Sequence, residues 1–304
     1  MPPLARTSAS PALDCAWCGH RIDHPDPRRR GRRACPACGA QTIDPWPTDA
    51  ELDEAYAGWY RPAGGRFAGF GDRVLRAARA RLAGRVDALA PAGPVLDVGA
   101  GDGALLDALH ARGREAAGLE RDASRPDMRA GGVEDVEDGW AAIVFWHSLE
   151  HLPAPGAALA AAAERLRPAG MLFVALPNAA SLQARAFGDR WFALDPPRHL
   201  VHVPAPTLLT TVRRHGLRVE RVSYARGGQV VFGWLHGLVG SLPGRPDLYD
   251  ALRRPEARRT PMTPGRRVLV LGAATALWPA AVAAAAVEVA ARRGGSVYVE
   301  ARRD

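Results

Sequence analysis

At 304 residues the chain is long enough to bury a sizeable core in one large or two smaller domains, and its 47% apolar content excludes a disordered or fibrous polypeptide. Its net charge of +8 would ordinarily point to an acidic partner, but all 40 basic residues are arginine, amid abundant Ala, 32 Gly and 26 Pro. That compositional bias discounts basic clusters such as RRRGRR (Arg28 to Arg33), which reads first as a solvated loop and only second as a phosphate site.

The amino-terminal stretch MPPLARTSASPAL has no apolar run, so no secretory signal is expected. Two pairs follow, Cys15-x-x-Cys18 and Cys35-x-x-Cys38, with sixteen residues between them and a glycine after each, Gly19 and Gly39. Four thiolates at this spacing predict a zinc-ribbon-like module with one structural zinc ion, because four protein ligands leave no position open for a substrate. The alternative is free or disulfide-linked thiols. So small a segment buries little core, and the metal would supply its folding energy. All four cysteines fall in this pattern, which fits a reducing compartment and an expected cytoplasmic location.

Asp44 to Pro47 reads as a linker, after which Thr48 or Asp49 can cap a short helix through Tyr56. Between Gly71 and Gly93, Val74, Leu75, Ala78, Leu82, Val86 and Leu89 recur at helical spacing. Val95 to Val98 then reads as a buried strand, Gly99, Gly101 and Gly103 as a tight turn, and Ala104 to Arg112 as a helix. Glycines are needed there because a cofactor must lie against bare backbone at a helix amino terminus. The string also fits a dinucleotide fingerprint. Asp97, two residues before the first glycine, suits a cationic ligand better than a pyrophosphate. EAAGLE is a second strand ending in Glu120, about twenty residues on, where a carboxylate can accept both ribose hydroxyls.

FWHSLEHLPAP contains His147-x-x-Glu150-His151, which matches an inverted zinc-peptidase signature. That chemistry needs a helix to put both imidazoles on one face. Here Ala141 to Trp146 reads as an apolar strand, and Pro153 and Pro155 follow at once. The string therefore lies where a strand ends, and the peptidase reading is set aside.

VLDVGAGDG, GLERDAS, IVFWHSLEHLPAP and LRPAGMLFVALPN, in this order, resemble the successive motifs of class I S-adenosylmethionine-dependent methyltransferases, most of all the ubiquinone-type O-methyltransferases. The resemblance covers roughly Leu89 to Arg226 and the final strand. It implies an α/β fold: a doubly wound, mostly parallel, seven-stranded Rossmann-like sheet. It implies S-adenosylmethionine as cofactor, held by Asp97, Gly99, Gly101, Gly103 and Glu120. Trp146 and His147 would flank it at the end of the fourth strand, Asp122 would cap a helix after the second strand, and Asp135 is a weaker candidate for the adenine. The family usually opens its fourth strand with Phe-Asp; here Trp140-Ala141 supplies no carboxylate. In ubiquinone-type relatives the segment at His147 to His151 reads Glu-x-x-Glu-His and is thought to hold a divalent metal. Metal at His147, Glu150 and His151 is therefore the lesser reading, and shaping of the pocket the first.

Pro177 to Leu208 is too long for a simple connection, and at the carboxyl edge of such a sheet it reads as a lid. Its Trp191 and Phe192 could enclose an apolar acceptor, and Arg198 could hold an anion. His199 is the leading candidate base, and His151 the second catalytic candidate. Val268 to Val287 is uncharged and nearly long enough to span a bilayer, but Ala-rich, with Gly272 and Pro279 inside. Three dispositions stay open: packing in the fold, peripheral contact with the inner membrane face, or a span. Flanking arginines would suit anionic lipid. Ser296 to Ala301 reads as the last strand.

The expected division is a zinc module and linker (1–47), amino-terminal helices (48–93), a cofactor-binding core (94–226) and a carboxyl-terminal insertion (227–304). The expected activity is methyl transfer to a small-molecule, lipid or glycan-intermediate acceptor. One rival is an RNA methyltransferase using the ribbon and the arginine surface, disfavoured because no Asn-Pro-Pro-Tyr-type motif follows strand four. The other is a non-catalytic adaptor, against which the glycine loop and Glu120 stand intact.

Overall fold

The computed structural model describes residues 13–23, 31–57, 67, 71–123, 125–225 and 229–304. The start of the amino-terminal stretch (1–12) and Arg28 to Arg30 of the arginine cluster lie outside the described residues. Two short hairpins come first: β1 (Leu13–Asp14) with β2 (Arg21–Ile22), and β3 (Arg32–Ala34) with β4 (Gln41–Ile43). Helices α1 (Asp49–Ala55) and α2 (Gly71–Leu89) follow. The alternating core runs β5 (Val95–Val98), α3 (Ala104–His110), β6 (Ala116–Leu119), β7 (Met128–Arg129), β8 (Trp140–Trp146), α4 (Pro155–Arg165) and β9 (Leu166–Pro177). Next are α5 (Leu182–Phe187), β10 (Val201–His202), α6 (Ala205–Arg214) and β11 (Leu217–Ser223). The chain closes with α7 (Gln229–Val239), α8 (Leu248–Leu252), α9 (Pro264–Ala290) and β12 (Ser296–Arg303).

Seven strands form one sheet in the order β11-β12-β9-β8-β5-β6-β7. Neighbours from β9 to β7 pair in parallel, and β12 lies antiparallel between β9 and β11. The chain moves outward from β5 to β7 and returns to β8 on the other side of β5. Strand order reverses there, so the carboxyl ends of β5 and β8 open a crevice for a ligand. Both faces of the sheet are covered. Ala142 and Val144 of β8 meet α2 and α3 through Leu82, Val86, Leu105 and Leu109. Ile143 and Phe145 meet α4 and α6 through Leu159, Ala162, Leu208 and Val212. Strands buried on both faces carry no polar alternation, which is why β5 and β8 read as apolar runs. Each buried leucine contributes roughly 1.5–3 kcal/mol.

Of the two cap candidates Thr48 serves, in a capping box: its hydroxyl accepts from the Glu51 amide, and the Glu51 carboxylate accepts from the Thr48 amide. The helix expected after β6 is not seen. None of the described residues from Glu120 to Asp127 is helical, so Asp122 caps no helix among them. RDASRPD has no helical apolar period, and Pro126 stands next to β7. Arg125 organises the segment instead, through Asp127 and Asp107.

The cysteine segment is woven into the core. β4 pairs with β10, Val201 opposite Thr42 and His202 opposite Gln41, so the amino-terminal hairpin and the loop after β9 share a three-stranded sheet. The Trp17 indole donates to the Thr211 hydroxyl of α6, and the Thr207 hydroxyl donates to the Cys38 carbonyl. The approach is close: a Cβ on Gly156 of α4 would lie 1.8 Å from the Trp17 carbonyl oxygen. The presumed linker takes part too, since Asp44 accepts from the fully buried Arg33 at 2.7 Å.

Candidate functional site

Around the crevice, Gly99, Gly101 and Gly103 all adopt positive φ, at 77°, 68° and 78°. The turn packs against the end of β8, where a Cβ on Gly99 would meet the Ser148 Cβ at 2.4 Å. Glu120 closes the loop from β6: its carboxylate accepts from the Gly101 amide at 2.6 Å and from the Arg121 amide at 3.1 Å. The glycine turn and the Glu120 carboxylate are thus joined at the mouth of the crevice. Asp97 is 4% exposed. Burial pushes its carboxyl up to about 7, Arg79 pulls it back, and Glu120 and Asp102 add to the rise. A carboxylate so placed is stabilised by a cation from the ligand.

Arg79 escaped the sequence reading. It is one of five arginines in α2, and nothing in RVLRAARAR singles it out. Folding puts its guanidinium over the Trp146 ring, 5.4 Å from the centroid. Trp146 stands edge-on to Tyr298 of β12 and to His147. His147 itself has φ 53°, a left-handed conformation that costs a non-glycine residue of order 1–3 kcal/mol and is found preferentially at working sites. Asp135 lies in the 3-10 turn Val133–Asp135. Its exposed carboxylate accepts from the Gly132 amide, in a turn packed beside α4.

The His147-x-x-Glu150-His151 string follows β8 into a 3-10 turn, Leu149–His151, not a long helix. Glu150 points inward and is 2% exposed. Three imidazoles enclose it. His147 Nδ1 is 3.4 Å from Oε1, His199 Nε2 is 4.0 Å from the same oxygen, and the His151 ring stands edge-on to that of His199 at 4.6 Å. Both Glu150 oxygens are buried without a hydrogen bond among the described residues. Burial alone would raise this carboxyl, but His147, His199 and His151 outweigh it and hold it down to about 2. An ionised, unbonded carboxylate in such a place is a receptor for a proton donor or a cation. Glu150, His151 and His199 each offer a ligand atom within 4.8 Å of one another, so the donor set is compatible with a metal ion.

His199 Nδ1 lies 2.8 Å from the Ala193 carbonyl, an acceptor only, so Nδ1 carries a hydrogen. Nε2 faces two carboxylates, Glu150 at 4.0 Å and Asp195 at 3.8 Å. His151 is fixed differently. Its Nδ1 is 2.9 Å from both the Tyr56 hydroxyl and the Arg198 carbonyl, and burial, with His199 beside it, lowers its pKa to about 4. It is neutral at physiological pH. Tyr56, at the end of α1, is a second residue the sequence did not reveal.

Two expectations about the lid are corrected. Trp191 is 4% exposed and donates to the Gln183 side chain, so it is core and not a wall for the acceptor. Arg198 is buried against Asp195, with contacts of 2.6 and 2.7 Å to the two carboxylate oxygens, so an acidic side chain three residues away already occupies it. Phe192 packs on Phe232, His236 and Tyr249.

Away from this crevice the four cysteine sulfurs converge. Cys15 and Cys38 Sγ are 3.7 Å apart, Cys18 and Cys35 Sγ 3.6 Å, and all four lie within 4.8 Å. A tetrahedron of sulfurs about 2.3 Å from zinc has edges of about 3.8 Å. The donor set and its spacing therefore fit that ion.

Comparison with known proteins accords with this geometry. No curated protein matches the chain. Solved structures similar to it include an S-adenosylmethionine-dependent methyltransferase from Archaeoglobus fulgidus, at 15% identity over 76% of this chain and 94% of that one, TM-score 0.46. A putative sarcosine dimethylglycine methyltransferase from Galdieria sulphuraria is similar at 14% identity over 76% and 86%, TM-score 0.46. The family described as "Methyltransferase domain" matches residues 67–222, just over half of the sequence and the whole of the glycine loop, Glu120 and the Glu150 turn. The chain belongs to the class I S-adenosylmethionine-dependent methyltransferases.

Proposed function

We propose that this methyltransferase acts on a small, lipid-like acceptor whose proton leaves through the His199–Glu150 cluster, in the manner of the ubiquinone-type O-methyltransferases. The observation that carries this is the buried Glu150 carboxylate facing Nε2 of His199 at 4.0 Å beside the crevice. S-adenosylmethionine, when bound, supplies an electrophilic methyl group on sulfur. The chain's own residues bind, orient and exclude water, which is most of what such a transfer needs. The glycine loop would meet the cofactor with bare backbone, and Glu120 would hold its ribose. Asp97 and Arg79 would hold the charged groups of its methionine part. His199 takes the acceptor's proton on Nε2, where Glu150 and Asp195 hold it; His151 and Tyr56 position the pair. Incubation with methyl-tritiated cofactor and a cell extract, followed by solvent partition, should put label in the organic phase. Label confined to RNA, or none transferred, would overturn the reading. The compact grouping of Glu150, His151 and His199 favours one second reading, a divalent cation at these three residues.

The cysteine cluster we assign to structural zinc, in a cytoplasmic setting where four thiolates persist. Metal analysis of anaerobically purified protein should return one zinc per chain; substoichiometric zinc would count against it. Cys18→Ser should lower the zinc content and depress turnover while the sheet still melts cooperatively. The route is short. The Ile43 amide of β4 donates to the Leu200 carbonyl, and the Leu200 amide to the Glu150 carbonyl, so loosening the hairpin loosens the catalytic turn.

A further inference from the structure

The outer face of α9 serves no purpose in methyl transfer. Thr263 caps the helix, which runs for 27 residues, about 40 Å at 1.5 Å per residue. Val270, Ala274, Ala281, Ala285 and Glu288 are buried on one side. On the other, Val268 is 69% exposed, Leu269 75%, Trp278 53%, Val282 41% and Val287 62%. Gly272, Thr275, Pro279 and Ala286 continue this stripe at helical spacing. Between Arg267 and Arg292 the only charged residue is Glu288, and it is turned fully inward, accepting from the Gln183 amide and side chain and from the Trp234 indole. Exposed arginines mark the ends: Arg266 in the first turn, Arg292 and Arg293 just past the last.

We propose that this face seats the enzyme on a lipid bilayer with anionic headgroups, the helix axis lying in the plane of the interface. An amphipathic helix of this kind sinks its apolar stripe to the headgroup–acyl boundary, with tryptophan favoured there and cations toward the phosphates. By length and composition α9 could cross a membrane, but the fold fastens it at both ends. Arg267 near the first turn donates to the Ala251 carbonyl, α7 and α8 pack on it, and the Leu182 amide donates to the Arg293 carbonyl. β12 then returns at once to the interior of the sheet. A span would tear β12 out. Pairing with a second copy is disfavoured by charge: the exposed stripe carries no acidic residue, so two such faces would oppose arginine to arginine. Polar headgroups bearing phosphate complement all three.

The orientation connects with the acceptor. Lid residue Phe192 packs on Phe232 of α7, and α7 packs on α9. A helix lying in the interface would therefore hold the lid near the bilayer, where an apolar acceptor is concentrated. The inference deepens the reading of a lipid-like acceptor, but vesicle binding is measured without acceptor or turnover, so either can fail alone.

The test is co-sedimentation of the full-length protein with phosphatidylcholine vesicles with and without phosphatidylglycerol. Binding should require the anionic lipid and weaken as salt rises. Leu269→Glu with Val287→Glu should lower the partition coefficient about tenfold or more, since each removes a buried apolar side chain from the interface. Melting temperature and S-adenosylhomocysteine affinity should stay unchanged, because both positions are exposed. Replacing Arg266, Arg292 and Arg293 with serine should remove the salt dependence without touching the apolar stripe. Quenching by brominated lipid should fall in Trp278→Phe. Failure to bind anionic vesicles, or equal binding by the glutamate variant, would overturn the proposal. So would a dimer in light scattering that the glutamate substitutions dissolve while vesicles bind nothing, for that face would then belong to a second copy.

Discussion

In calorimetry, Gly101→Val protein should show no detectable binding of S-adenosylhomocysteine, and Glu120→Ala protein should bind it about 10- to 150-fold more weakly. The two act on one contact. Gly101 has φ 68° and its amide donates to the Glu120 carboxylate at 2.6 Å. A β-branched side chain in this left-handed region costs about 1–2 kcal/mol in backbone strain, and it also fills the space where backbone must touch the ligand. Removing the carboxylate forfeits hydrogen bonds to a charged group, about 1.5–3 kcal/mol, which converts to that fold-change. Gly99→Ala tests the turn separately. Its new methyl group would stand 2.4 Å from the Ser148 Cβ, so Ser148 and the adjoining catalytic turn must shift. Both cofactor binding and turnover should fall in that variant. A valine protein that binds the ligand within about threefold of the wild type would remove the glycine loop from the cofactor site.

The parts of the site legible in sequence are those built from neighbours along the chain. Strand, glycine turn and helix occupy one run of residues, and Glu120 follows at a distance fixed by one helix and one strand. Long-range pairing was not legible. Nothing in QTI announces that it will pair with Val201 and His202, so the cysteine hairpin read as a separate module although it braces the lid. Arg79 was hidden by the composition of the chain: without lysine, an arginine that packs on Trp146 looks like every solvated one. Trp191 failed for another reason. An aromatic in a loop can face ligand or core, and its indole found the Gln183 side chain. Arg198 had a readable partner, since Asp195 lies three residues before it. For Val268 to Val287 composition allowed three dispositions; burial of one face and exposure of the other follow only from where β12 anchors the helix.

His199→Ala should reduce turnover about 10²–10⁴-fold, the usual contribution of a positioned base, and leave cofactor affinity nearly unchanged. The geometry separates these effects. His199 sits on the segment between β9 and β10, with Nδ1 committed to the Ala193 carbonyl and Nε2 directed toward Glu150 and Asp195. Glycine loop, Asp97 and Glu120 belong to β5, β6 and the turn between them, so losing the imidazole does not disturb them. In single turnover, the logarithm of the wild-type rate should climb with pH on the acid side with a slope near one, and the alanine variant should lose that limb. Glu150→Gln is the partner experiment. It keeps the shape and removes the charge that receives the proton on His199, so turnover should fall while Michaelis constants move little. A cation at Glu150, His151 and His199 predicts a different pattern: chelator would abolish wild-type activity and added divalent metal would restore it. If chelator is without effect and Glu150→Gln still fails, the carboxylate works through the imidazole. Should His199→Ala turn over at the wild-type rate, the proton leaves by another route, and this cluster is structural.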